Sequence, residues 1–223
     1  MTYAAHRRII DVDSHLFELD DFLHNAARPE HLDLVPSMHA QKGLAVPQAG
    51  LDRGRELLAR RQSDPATMAK FEAALMDNTK SGWSRLGAFD PKERSYTLDL
   101  LGFEMQWVLP TYAFHQTLHA AHGDALAATA ITLNRAMANF CAHDPRLKAV
   151  GYIPLNLGPE RAKAIMDQGF EEGCYTFLVP TNEPNPENKS YTHPDFDPIW
   201  AGFAERGIPA GIHVAANGDY NPV

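Results

Sequence analysis

Three side chains in this sequence have the types and places that divalent-metal chemistry needs. Asp13 and His15 stand two residues apart in Ile10-Asp11-Val12-Asp13-Ser14-His15. On an extended chain that spacing turns both side chains to one side. A carboxylate and an imidazole converging from one strand end make a two-ligand clamp for Zn²⁺ or another divalent ion. His213 lies in the apolar run Pro209-Ala210-Gly211-Ile212-His213-Val214, near the end of another strand-like segment. A histidine there serves either as a hydrogen-bonded core residue or as a third ligand. Two strand ends offering ligands on one face favour the second reading. Histidine is abundant, 11 of 223 residues. It is the commonest metal ligand and the acid/base of neutral pH.

Other polar residues at segment exits extend the candidate site. Thr111 and Tyr112 follow one strand-like run and Thr181 follows another, so they are expected to line a substrate pocket or to satisfy local turns. His115 and His119 are four apart but lack the glutamate of an HExxH pair, and His115 is assigned to the pocket rim. Glu18 reads either as a group supporting a ligand or, more simply, as a solvated loop carboxylate. His193-Pro194-Asp195-Phe196-Asp197-Pro198 reads as a helix start capped by Asp195 or Asp197. His24, His31, His39 and His122 lie among polar residues and are expected to be exposed. A GxSxG elbow, which a serine hydrolase of the α/β type would need, does not occur.

The elements that must position these residues alternate in type. Short apolar runs at 8–13, 103–109, 149–153, 175–179 and 209–214 predict strands. Helices are predicted at 124–142, where Leu126, Ile131, Leu133, Met137 and Phe140 recur at helical spacing, at 159–168 ending on Gly169, and at 196–205 ending on Gly207. Alternation of this kind implies βαβ units and a parallel sheet. From 19 to 96 the pattern is irregular, with one helix predicted at 65–78, and reads as a long insertion within a single domain spanning 1–223. A doubly wound sheet and a (β/α)₈ barrel both fit. The turn after the first strand has no glycines and no GxxxxGK[ST] loop occurs, which weighs against a bound nucleotide.

Composition limits the partners. The apolar and charged fractions, 44% and 22%, are those of a folded globular chain. Net charge is −8 and the pI is near 5.7. No basic stripe suited to nucleic acid is present; Arg53, Arg55, Arg60 and Arg61 read as the solvated face of a helix. No apolar run reaches membrane-spanning length, and residues 1–8 lead into no signal-type apolar segment. Cys141 and Cys174, outside any CxxC, fit a reducing compartment, so a cytoplasmic protein is expected. The expected partners are a small-molecule substrate and a second copy in a homodimer, with neither nucleic acid nor membrane.

Several stretches together resemble the amidohydrolase-2 family, the branch of the amidohydrolase superfamily that includes aminocarboxymuconate-semialdehyde decarboxylase. They are Ile10-Asp11-Val12-Asp13-Ser14-His15, Gln106-Trp107-Val108-Leu109-Pro110-Thr111, Asn134-Arg135-Ala136-Met137-Ala138-Asn139-Phe140-Cys141 and Tyr152-Ile153-Pro154-Leu155. The resemblance is clearest in His193-Pro194-Asp195-Phe196-Asp197-Pro198-Ile199-Trp200 and Gly207-Ile208-Pro209-Ala210-Gly211-Ile212-His213, and it runs in order along nearly the whole chain. It implies an α/β fold, a distorted (β/α)₈ TIM barrel with about five of the eight strands in this sequence, and a mononuclear Zn²⁺ or Mn²⁺ site, Zn²⁺ preferred. Asp13 and His15 match the ligand pair ending strand one, and His213 matches the histidine ending strand five. The family's acid/base histidine after strand six and its aspartate ending strand eight have no counterpart, so the sequence is expected to be the N-terminal portion of a longer barrel. The implied activity is metal-assisted hydrolysis of a small ester, lactone or amide. Non-oxidative decarboxylation of an aromatic or enoic acid is the alternative, although no arginine clamp for a leaving carboxylate is evident. A non-catalytic binding domain on the same scaffold is the reading from another class.

Overall fold

A computed structural model describes residues 2–40, 45–77, 82–180 and 190–213. Four parallel strands form one sheet in the order β1-β2-β3-β4: β1 (Ile10–His15), β2 (Met105–Leu109), β3 (Leu147–Tyr152) and β4 (Thr176–Leu178). Each strand lies beside its successor in sequence. A doubly wound sheet would reverse strand order at a switch point, and none occurs among the described strands. A parallel bridge from Leu178 to Gly211 marks where the fifth segment joins. That segment is shorter in regular pairing than the predicted 209–214, and Val214 lies outside the described residues. The structure is thus α/β with a parallel sheet, and its described strands do not themselves close a barrel.

Helices cover the sheet. The pair α6 (Asp124–Cys141) and α7 (Pro159–Glu172) follow β2 and β3, and α8 (Asp197–Glu205) follows β4. The core gathers Leu133, Met137, Val150, Met166, Phe177 and Ile199 between helices and strands. Helix α7 runs through Gly169, the predicted stop, to Gly173, whose φ of 112° ends it. Gly169 is a packing residue: a Cβ there would stand 2.6 Å from the ring of Phe177. Just ahead of α8, His193 Nδ1 accepts from the Asp195 backbone N–H at 3.2 Å and caps the 3₁₀ turn Pro194–Phe196; α8 itself has no side-chain cap, so neither Asp195 nor Asp197 serves as one.

The described residues between 19 and 96 carry several helices where one was expected, which corrects the expectation of an irregular insertion. They carry α1 (Phe22–Ala26), α2 (Gln48–Ser63), α3 (Pro65–Ala73) and the first turns of α4 (Pro91–Leu101). The periodicity was hidden because the buried faces mix leucines with charged and small residues. Helix α2 buries Leu51, Gly54, Leu57 and Arg61, and α4 buries Glu93, Arg94, Thr97, Leu98 and Leu101. Arg61 is therefore not part of a solvated face. Its guanidinium makes a two-pronged ion pair with Glu93, 2.7 and 2.8 Å, inside the protein. His31 is half-buried, unlike the exposed His24, His39 and His122.

One irregularity in β1 bears on the site. Asp11 pairs with Gln106 and Ser14 with Val108, so β1 holds one residue more than β2 between these points. Such a bulge changes which side chains share a face. Asp11 and Ser14, an odd number apart, both serve Arg94 of the helical layer, the first electrostatically and the second by a hydrogen bond of 2.9 Å. Asp13 and His15 are left for the opposite face.

Candidate metal centre

The last turn of β1 and the fifth segment bring Asp13, His15 and His213 together. His15 Nε2 lies 3.3 Å from His213 Nε2, His213 Nε2 lies 3.2 Å from Asp13 Oδ1, and His15 Nε2 lies 3.4 Å from the same oxygen. Three donor atoms thus form a nearly equilateral triangle. Tetrahedral ligands on bonds of about 2.0–2.1 Å stand about 3.3–3.4 Å apart. An octahedral set on the same bonds would stand at about 2.9 Å. The donor set, one carboxylate oxygen and two imidazole nitrogens, suits a divalent ion with an open fourth position. Asp13 gives that position access, since its side chain is 70% exposed, against 33% for His15 and 23% for His213. Among the described residues, this is the group of three or more His, Cys, Asp or Glu side chains with metal-holding geometry.

His15 is held from behind. Its Nδ1 contacts Thr111 Oγ1 at 2.9 Å, just past the end of β2. Burial pushes the His15 pKa down, Asp13 opposes that, and His213 and Arg94 add to it. The imidazole is therefore neutral at neutral pH, the form that ligates. Arg94 reaches across from α4 to donate to the His15 carbonyl at 2.7 Å. Its own pKa is lowered to about 10 by burial.

Glu18 is not a solvated loop carboxylate. It is 1% exposed, and its two oxygens accept from the backbone N–H groups of Thr111, at 2.6 Å, and Tyr112, at 2.9 Å. These N–H groups open α5 (Tyr112–Leu118), a helix the sequence reading did not anticipate. Burial raises the Glu18 pKa to about 7, against the pull of the backbone donors. A signal for its burial was available, since Glu18 sits in Leu16-Phe17-Glu18-Leu19 with apolar residues on both sides. Arg94, by contrast, had no local signal. It serves β1 from the helical layer and is not a carboxylate clamp facing the triad.

The expected pocket residues take different places. The Thr111 hydroxyl is engaged with His15. Tyr112 packs tilted against Trp83, ring centroids 4.9 Å apart, with Phe17 edge-on to Trp83 at 5.4 Å, forming an aromatic wall beside the end of β1. His115 is half-buried, and its pKa is lowered first by burial, then by His119, His15 and His213. Thr181 lies outside the described residues.

No family model matches the chain, and no curated protein does. Among solved structures, the crystal structure of an amidohydrolase from Mycobacterium avium subsp. paratuberculosis K-10 matches with a TM-score of 0.64. The chain shares its fold with the matched part of that amidohydrolase. The match covers 96% of this chain and 60% of that one, at 20% identity. At that identity the likeness concerns architecture, and it lends no support to the decarboxylase alternative. No helix among the described residues is long and apolar enough to cross a membrane.

Proposed function

We propose that this chain carries the metal-binding part of a metal-dependent hydrolase of the amidohydrolase-2 type, acting on a small ester, lactone or amide. The observation that carries the reading is the triangle of Asp13 Oδ1, His15 Nε2 and His213 Nε2, with sides of 3.2–3.4 Å. Zn²⁺ is the expected ion, because two imidazoles and one carboxylate oxygen form a donor set that it favours. A divalent ion bound there supplies Lewis-acid polarisation of a carbonyl and a more acidic water. The protein's own residues do the rest. Thr111 orients His15, and Asp13 leaves the solvent side open to a substrate. The Phe17–Trp83–Tyr112 wall offers an apolar surface beside the donors and limits water on that side. His115, whose pKa burial lowers, joins Tyr112 as the substrate-facing set in this reading.

Three polar groups gathered at one point, two of them largely buried, also weigh against a non-catalytic scaffold, because such groups cost stability unless used. The test is a panel of chromogenic esters, lactones and amides, assayed with Zn²⁺, with chelator and after Zn²⁺ is restored. Turnover of at least one class should vanish with the metal and return with it, and His213→Ala should lack it. Turnover indifferent to chelation and to His213→Ala would contradict the reading. So would a fully loaded protein that releases CO₂ from hydroxybenzoates and hydrolyses nothing.

A further inference from the structure

A buried carboxylate needs a reason to stay buried, and Glu18 has a specific one within reach. Its backbone is fixed on three sides. Leu16 N–H donates to the Leu109 carbonyl at 2.8 Å, Phe17 N–H donates to the Ala88 carbonyl at 3.0 Å, and Trp83 Nε1 donates to the Glu18 carbonyl at 2.9 Å. From that anchored position the two carboxylate oxygens capture two consecutive backbone donors, those of Thr111 and Tyr112. Consecutive N–H groups held by one rigid fork fix the peptide planes on both sides of Thr111. The Thr111 side chain then has its direction set, and its hydroxyl meets His15 Nδ1 at 2.9 Å.

We infer that Glu18 is a positioning residue of the donor triad, its carboxylate fixing Thr111 so that the Thr111 hydroxyl holds the His15 ring at Nδ1 and would accept the Nδ1–H hydrogen bond when Nε2 ligates a metal. This rests on the metal-site reading above and deepens it. The chain of contacts runs Glu18 to Thr111 to His15, from the loop after β1, across the end of β2, and back to β1. A ring nitrogen is set as donor or acceptor by the hydrogen bond its partner nitrogen makes. Partners of that kind are worth about 10–100-fold in metal affinity. An ordinary helix cap would need no such reach. Helix α5 has only seven residues, and its cap comes from 93 positions earlier in the chain. Glutamine cannot replace the carboxylate, because its nitrogen would face one of the two N–H groups as a second donor.

The test compares Glu18→Gln, Thr111→Val, Thr111→Ser and the Glu18→Gln/Thr111→Val double variant with the wild type. Two readouts are taken: the ring ¹⁵N shifts of His15 in metal-free protein, and Co²⁺ affinity by optical titration. The wild type should show one set of His15 ring signals. Glu18→Gln and Thr111→Val should each show a second or broadened set and a loss of Co²⁺ affinity of about 10–100-fold. Thr111→Ser should restore both readouts, and the double variant should be no worse than the weaker single one. A Glu18→Gln protein that loses stability while keeping a single set of His15 ring signals and its Co²⁺ affinity would overturn the inference, and so would additive losses in the double variant. If Glu18→Gln does not fold, Glu18→Asp carries the same comparison, keeping the charge but falling one methylene short of the two donors. A wild type that binds no Co²⁺ would end the metal reading, and the ring-signal comparison would still decide whether Glu18 positions His15.

Discussion

Replacing Glu18 by glutamine should flatten the dependence of folding stability on pH. In the folded chain, burial raises this carboxyl from an ordinary 4.5 to about 7. Between those two values the folded state holds a proton that the unfolded state has released. Stability from this group is complete below the unfolded value and is lost as pH rises through the folded one. The slope is about 1.4 kcal/mol per pH unit, and a shift of this size amounts to about 3 kcal/mol in all. Glutamine does not titrate. It adds a roughly constant penalty of about 1–3 kcal/mol for the backbone N–H left without an acceptor. Urea unfolding of both proteins in chelator, at half-unit steps from pH 4.5 to 8, isolates the effect, because every other titrating group is shared. The wild type should lead by most at the acid end, and its advantage should shrink through pH 7. Two curves running parallel across the range would refute the assignment of a raised pKa to Glu18.

Four further substitutions probe the scaffold. Glu93→Leu leaves Arg61 buried without its partner and should cost about 3–5 kcal/mol by urea unfolding, while adding Arg61→Met should recover most of it. Equal stability of the single and double variants would show that the pair is not a buried unit. Arg94→Met removes the bonds to Ser14 and the His15 carbonyl. It should lower stability by about 2 kcal/mol and weaken Zn²⁺ binding, and calorimetry showing neither would contradict the role given to Arg94. Gly169→Ala drives a methyl toward the Phe177 ring and should cost about 1–3 kcal/mol in thermal unfolding; a neutral result would mean that the ring can move aside.

The sequence was most readable where one physical signal acts alone. Helix α6 matched its expected span to within a residue because Leu126, Leu133 and Met137 mark an apolar face. Strand edges shifted by one or two residues, as at β1, where apolar runs begin before backbone pairing does. Helices α2 and α4 were illegible because an arginine, a glycine and a glutamate fill buried positions that a hydrophobic period would need. The proximity of Asp13 and His15 follows from local spacing. Their meeting with His213, some 200 positions away, depends on parallel pairing through Leu178 and Gly211, and no local pattern encodes it. Glu18 and Arg94 were harder still. Each is a charged residue whose burial depends on distant backbone donors and acceptors.

The central claim is that Asp13, His15 and His213 hold one divalent ion between them. X-ray absorption on the Zn²⁺-loaded protein, with metal analysis of the same sample, tests it most directly. The expected result is one zinc per chain, a four-coordinate nitrogen and oxygen shell at about 2.0–2.1 Å, scattering from two imidazoles, and loss of the ion in His213→Ala. Zinc well below one equivalent in the wild type, or retained undiminished by His213→Ala, would contradict it.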